Sequence, residues 1–208
     1  MLAMQVLDNA QVLDIAVARD NRRPTAVATD EALIGRTAAG DKLAMHALFA
    51  RHHVRVYRFV LRLVGDQSLA EDLTSETFLD VWRQAGTFQA QSAVTTWLLS
   101  IARFKAISAL RRRVGEELDD KASTALADPA DDPEVVVQKK DRSEILRKCL
   151  TKLSRQHRDI IDLVYYHEKS IEEVAEIVGI SNNTVKTRVF YARKRLSHLL
   201  QLRGVVGV

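Results

Sequence analysis

Apolar side chains recur at helical spacing between residues 41 and 64, where Ala50, Val54, Tyr57, Leu61 and Val64 form one stripe and Gly65 closes the segment. Ser68 and Glu71 then make a capping-box pair, which predicts a second helix reaching about Ala85. The stretch "GTFQAQSAV" breaks the periodicity. Beyond it Leu98, Ala102, Ala106 and Leu110 recur every fourth residue and predict a helix from about Thr95 to Arg113. Residues 143–166 read as two short helices broken near Ser154. Ser170 and Glu173 form another capping pair, opening a helix with Val174, Ala175 and Val178 on its inner face. Gly179 ends that helix, and Ser181 caps a last one in which Val185, Val189, Ala192 and Leu196 share a face. No segment alternates with period two, so the expected fold is all-α.

All three prolines lie outside these periodic segments: Pro24 near the start, Pro129 and Pro133 in the middle. Proline inside a helix costs about 3 kcal/mol, so these positions mark boundaries. The expected organisation is a poorly ordered tail at 1–29 and a helical domain at 30–113. A flexible acidic linker at 114–137, a second helical domain at 138–203 and a short tail at 204–208 complete it. The linker is aromatic-free and proline-bearing, a composition expected to stay extended or only partly ordered. The tail at 1–29 has weak helical periodicity and no assigned role.

Charge sharpens this division. Arg103, Lys105, Arg111, Arg112 and Arg113 form one basic patch without an intervening acid, and no acid follows Ser181, where six cations occur. Residues 66–80 hold five acids and no cation, and 114–137 hold eight acids and one lysine. Four charge blocks on a chain of net charge only +4 imply several different surfaces. The single cysteine, Cys149, excludes an internal disulfide and fits a cytoplasmic protein; its spacing from Leu146 and Leu153 places it in the core. No apolar run approaches a membrane span, and Asp8 and Asp14 interrupt the start, so neither a signal peptide nor a membrane anchor is expected.

Helix, glycine turn and helix make the helix-turn-helix arrangement. Its second helix turns Asn183, Thr187, Phe190, Tyr191 and Lys194 away from the apolar face, with Lys186, Arg188, Arg193 and Arg195 on the flanks. A recognition helix needs this pattern: polar residues and an apolar contact for base edges, cations for phosphates on either side.

Three stretches together resemble a family: "AEDLTSETFLDVWRQAGTF" at 70–88, "TTWLLSIARFKAISALRRR" at 95–113 and "LSRQHRDIIDLVYYHEKSIEEVAEIVGISNNTVKTRVFYARKRL" at 153–196. In this order and spacing they resemble the extracytoplasmic-function (ECF) group of bacterial sigma-70 RNA polymerase sigma factors. The resemblance implies a factor that binds core polymerase through the clamp helices of the largest subunit and the flap. It implies initiation at promoters of a stress or envelope-response gene set. Asp72, Ser75, Phe78 and Trp82 match the polymerase-binding helix, although Trp82 is as readily a core residue. The −10 element, with its single-stranded non-template strand and flipped base, falls to the loop residues Gln89, Gln91 and Ser92. Trp97, Arg103, Lys105, Arg111, Arg112 and Arg113 follow on the next helix, Trp97 again being open to a core role. At the −35 element the match puts Lys186, Thr187, Phe190 and Tyr191 towards bases and Asn183, Thr184, Arg188, Arg193 and Lys194 towards phosphates. Phe104 stands in "IARF" where many relatives have asparagine. The family also implies a cytoplasmic, nucleoid-associated location and an anti-sigma partner able to hold the factor at the membrane.

The alternative within DNA binding is a stand-alone helix-turn-helix regulator, against which no sustained heptad for dimerisation is found. Enzymatic activity and cofactors are not expected. The six histidines, at 46, 52, 53, 157, 167 and 198, form no ligand pair such as HExxH, and no phosphate loop or GxSxG occurs.

Overall fold

The computed structural model describes residues 28–117 and 137–203. The segments expected to be tail and most of the expected linker lie outside them. Helices make up most of the described residues, among which no strand occurs, so the all-α expectation holds. Contacts divide the chain into two units: the described residues up to Leu61 with Asp66–Lys105, and Arg62–Gly65 with the described residues from Ala106 onward.

The first unit opens on a helix that the periodicity did not announce, α1 (Asp30–Ala38). Thr29 caps it, its Oγ1 accepting from the Ala32 backbone N–H (3.3 Å), and Asp30 and Glu31 favour the positive helix start. Gly40 takes φ +87°, the left-handed conformation that lets the chain turn at once into α2 (Lys42–Val64). Asp41 fixes the corner: its Oδ1 accepts from the Leu43 and Ala44 N–H groups, and Arg36 donates to Oδ2 from Nε and Nη2. The Arg36 hydrogen bond, followed by that of Ala44, holds the Asp41 carboxyl below its ordinary pKa.

α2 corrects the expected stripe. Its core face is Ala44, Leu48, His52, Val56, Phe59 and Val60, joined near the end by Leu61 and Val64 as expected, whereas Ala50 and Val54 are exposed and Tyr57 is half-buried. The helix carries apolar residues on two opposite faces; the stripe chosen by periodicity is exposed in the first part of the helix and buried at Leu61 and Val64. Buried His52 places Nε2 2.7 Å from Asp30 Oδ2, and Arg51 closes on the same carboxylate. Burial pushes the His52 pKa down, opposed by Asp30 and reinforced by Arg51 and Arg55. A lowered folded pKa means that the neutral imidazole is favoured. This contribution is complete above the ordinary histidine value and is lost as pH falls through the lower folded one. Urea midpoints measured at about pH 7.5 and about pH 5.5 are therefore expected to drop more for the wild type than for His52→Gln.

α3 (Gln67–Gln84) is capped by Asp66, whose Oδ1 accepts from the Leu69 N–H (3.1 Å), rather than by the expected Ser68–Glu71 pair. Ala70, Leu73, Thr74, Thr77, Phe78 and Val81 form its inner face. A 3₁₀ turn (Ala85–Thr87) and an irregular loop lead into α4 (Val94–Glu117), which runs four residues past Arg113 into the expected linker. Leu98, Ala102 and Ala106 are buried as expected.

The second unit contains α5 (Val137–Leu150), α6 (Arg155–Ile161) with a π-helical extension Asp162–Tyr166, α7 (Ile171–Val178) and α8 (Asn182–Gln201). Ser154 breaks α5 from α6, its side chain accepting from the His157 N–H. Cys149, Leu153, Ile161, Ala192 and Leu199 form a buried cluster, so Cys149 is a core residue.

Candidate nucleic-acid interface

Local chemistry sets the α7–α8 corner. The Glu173 N–H donates to Ser170 Oγ (3.2 Å), while the Ser170 N–H donates to Glu173 Oε2 (2.9 Å), completing the capping box read from sequence. Lys169 Nζ lies 2.7 Å from Glu173 Oε1 and fixes that carboxylate further. Gly179 adopts φ +74° and ψ +42°, with its N–H and that of Ile180 both donating to Ala175 O. Ser181 Oγ then accepts from the Thr184 N–H (3.3 Å) and starts α8. Val174 and Ala175 on α7, with Val185, Ala192 and Leu199 on α8, are buried, which fixes the rotation of α8 about its axis.

That rotation leaves Asn183, Lys186, Thr187, Phe190, Tyr191, Arg193 and Lys194 exposed, with Arg188 half-buried. Phe190 is 61% and Tyr191 53% exposed, their rings edge-on at 5.4 Å. Thr184 is half-buried and its Oγ1 lies 2.9 Å from Ser181 Oγ, so its hydroxyl serves the cap. Tyr191 and Lys194 also line an open groove of about 700 Å³ with Lys152, Ser154, His157, Arg195 and His198. Sequence reasoning missed that Lys152, His157, Arg195 and His198 share one surface. Lys152 and His157 lie about 30 and 25 residues before the start of α8 and meet it only through the fold.

In the first unit the loop after the 3₁₀ turn presents exposed Gln89 and Gln91, with Gln91 Nε2 donating to Gln89 Oε1 (2.8 Å); Ser92 is half-buried. Ala90 between the two glutamines takes φ +53°, a left-handed conformation strained for a residue with a Cβ. Trp97 is half-buried against Phe88, ring centroids 5.1 Å apart, and therefore braces the loop from α4. Phe104 is 74% exposed. Arg103 is half-buried. Lys105 does not stand free: its Nζ lies 2.8 Å from Asp80 Oδ2 and 3.3 Å from Glu76 Oε2, its side chain only 15% exposed. Arg111, Arg112 and Arg113 lie further along α4, in the part assigned to the second unit, and all three are exposed.

On α3, Asp72 and Ser75 are exposed and Trp82 is half-buried. Phe78 corrects the expectation. It is 3% exposed and packs edge-on against Phe49, centroids 4.9 Å apart, so it is a core ring and cannot touch a partner directly. Leu79, one residue on, is the exposed apolar side chain of this helix.

No group of three or more histidine, cysteine or acidic side chains able to hold a metal occurs among the described residues. No helix among them is long and apolar enough to cross a membrane.

Against known proteins, residues 48–115 match the Sigma-70 region 2 family and residues 143–196 the Sigma-70 region 4 family. The ECF RNA polymerase sigma factor SigL of Mycobacterium tuberculosis is 30% identical over 175 residues, covering 84% of this chain and 98% of that protein. SigK of the same organism is 29% identical over 176 residues, covering 83% of this chain and 94% of SigK. Among solved structures, the sigma factor RpoE of Bartonella quintana, in complex with the anti-sigma factor NepR, is 28% identical. That match has a TM-score of 0.63 and covers 75% of this chain and 96% of RpoE. The matches extend along nearly the full length of these relatives. The chain belongs to the extracytoplasmic-function group of the sigma-70 family of RNA polymerase sigma factors.

Proposed function

We propose that the two ends of this sigma factor divide promoter recognition between the residues described above. The N-terminal half of α8 enters the major groove of the −35 element, with Lys186, Thr187, Phe190 and Tyr191 towards base edges. Asn183, Arg188, Arg193 and Lys194 hold phosphates, and the groove residues Lys152, His157, Arg195 and His198 extend that phosphate track. The observation that carries this is the exposure of two aromatic rings among cations on a helix whose rotation the core fixes. Gln89, Gln91 and Ser92 read the flipped base of the −10 strand. Exposed Phe104 offers a stacking surface in place of a hydrogen-bonding side chain. Lys105, held by Asp80 and Glu76, positions α3 against α4 rather than gripping DNA.

Asp72, Ser75 and Leu79 form the face that docks on the clamp helices of core polymerase, with Trp82 at its edge and Phe78 supporting it from beneath. The protein acts in the cytoplasm as a non-enzymatic initiation factor and is restrained by an anti-sigma partner, as the pairing of RpoE with NepR suggests. Run-off transcription with core enzyme and this protein tests the reading. Asp72→Arg is expected to lower affinity for core polymerase at least tenfold without changing helicity, because it places a cation where the partner is basic. Unchanged affinity would reject the docking face.

A further inference from the structure

Two histidines stand in the open groove beside α8, among cations and with no carboxylate in its lining. His157 comes from the first turn of α6, and His198 from α8, two helical turns past Tyr191. Lys152, Lys194 and Arg195 complete the charged lining. His198 is exposed and His157 half-buried. The Ser154 cap engages the backbone N–H of His157, which leaves its imidazole to the groove.

The elements packed around the groove bring no acid into it. On α5, Glu144 is paired with Lys148, and Arg147 lies outside the lining. On α6, Arg158 donates to the Thr151 and Leu153 carbonyls, Asp159 is buried, and Arg155 lies outside the lining, as does Arg193 on α8. Among the described residues, the groove therefore holds three fixed cations and two side chains of the type whose charge changes between about pH 5 and pH 8. A phosphate seated beside an imidazole favours its protonated form, so binding takes up protons. The resulting gain in affinity is complete at low pH and is lost as pH rises through the histidine range.

We propose that His157 and His198 make this groove a proton-dependent phosphate site, so that affinity for the −35 duplex rises as the solution becomes acidic. The proposal rests on the reading that α8 and its groove carry DNA. Protonation of both residues adds two positive charges, and each phosphate they hold contributes about 0.9 to the salt slope of binding.

Binding isotherms of the full-length chain on a −35 duplex, taken across a salt series at about pH 8 and about pH 6, test this. The wild-type slope is expected to grow by about 1.8 on acidification. His157→Gln with His198→Gln should keep the smaller slope at both pH values, and His157→Lys with His198→Lys the larger. His52 and the other histidines are common to all three proteins, so their titration cancels in the comparison. A wild-type slope that ignores pH, or a slope that grows equally in the glutamine pair, overturns the proposal. Arg193→Ala with Lys194→Ala at the higher pH separates this failure from failure of the reading beneath it. If that pair lowers the slope while pH leaves the wild-type slope unchanged, only the histidine site falls. If that pair leaves the slope unaltered, DNA binding by α8 falls and the histidine site with it.

Discussion

Val185→Asp is expected to abolish −35 binding by unfolding the second unit rather than by removing a DNA contact. Val185 is completely buried in the first turn of α8, where Ser181 caps the helix and Gly179 sets its entry. A carboxylate there has no cation to meet among the α8 residues that share its face, Val189, Ala192 and Leu196. An uncompensated buried charge costs on the order of 3–5 kcal/mol. A single core of this size supplies about the same. Amides of α5 to α8 should lose their protection in hydrogen exchange, and affinity for a −35 duplex should fall to the non-specific level. A variant that binds that duplex like the wild type would show that α8 is not seated as described.

The second large effect separates reading from gripping. Arg193→Ala with Lys194→Ala removes two exposed cations from α8, and each phosphate contact contributes about 0.9 to the salt slope of binding. The double variant is expected to bind all sequences more weakly, with a slope smaller by about 1.8. Phe190→Ala is expected to do the opposite. Its 61% exposed ring carries no charge, so the slope stays constant while discrimination at one base pair falls by about 1–3 kcal/mol. Binding isotherms on matched and mismatched duplexes across a salt series measure both. A Phe190→Ala protein with unaltered preference, or a double variant with unaltered slope, would reassign these residues.

The corner at residues 170–184 was legible because its signals are local: a serine three residues before a glutamate, a glycine at the helix end, a serine after it. Each acts within one turn of backbone, and the hydrogen bonds found are those the spacing implies. The buried face of α2 was legible only at Leu61 and Val64; before them two apolar stripes compete and only tertiary packing decides between them. Phe78 was within reach of sequence reasoning, being in phase with Ala70, Thr74 and Val81; its aromatic character on an acidic helix drew attention away from that phase. α1 was also readable in retrospect, from Thr29 followed by two acids and from Gly40. The positive groove beside α8 was not, because no local pattern links Lys152 to His198.

The bond from Gln91 to Gln89 bears on what this loop could distinguish in the proposed −10 role. If the loop receives a flipped base as proposed, that base must first separate the two amides, so its contacts replace an existing interaction instead of adding to an empty socket. A base edge offering both a donor and an acceptor completes that exchange with little net gain. One offering a single kind leaves an amide end unsatisfied, at about 1–3 kcal/mol once water is excluded. Selection at this loop would then work chiefly by penalising the wrong edge, with the strained Ala90 holding the two amides in the arrangement that imposes the penalty.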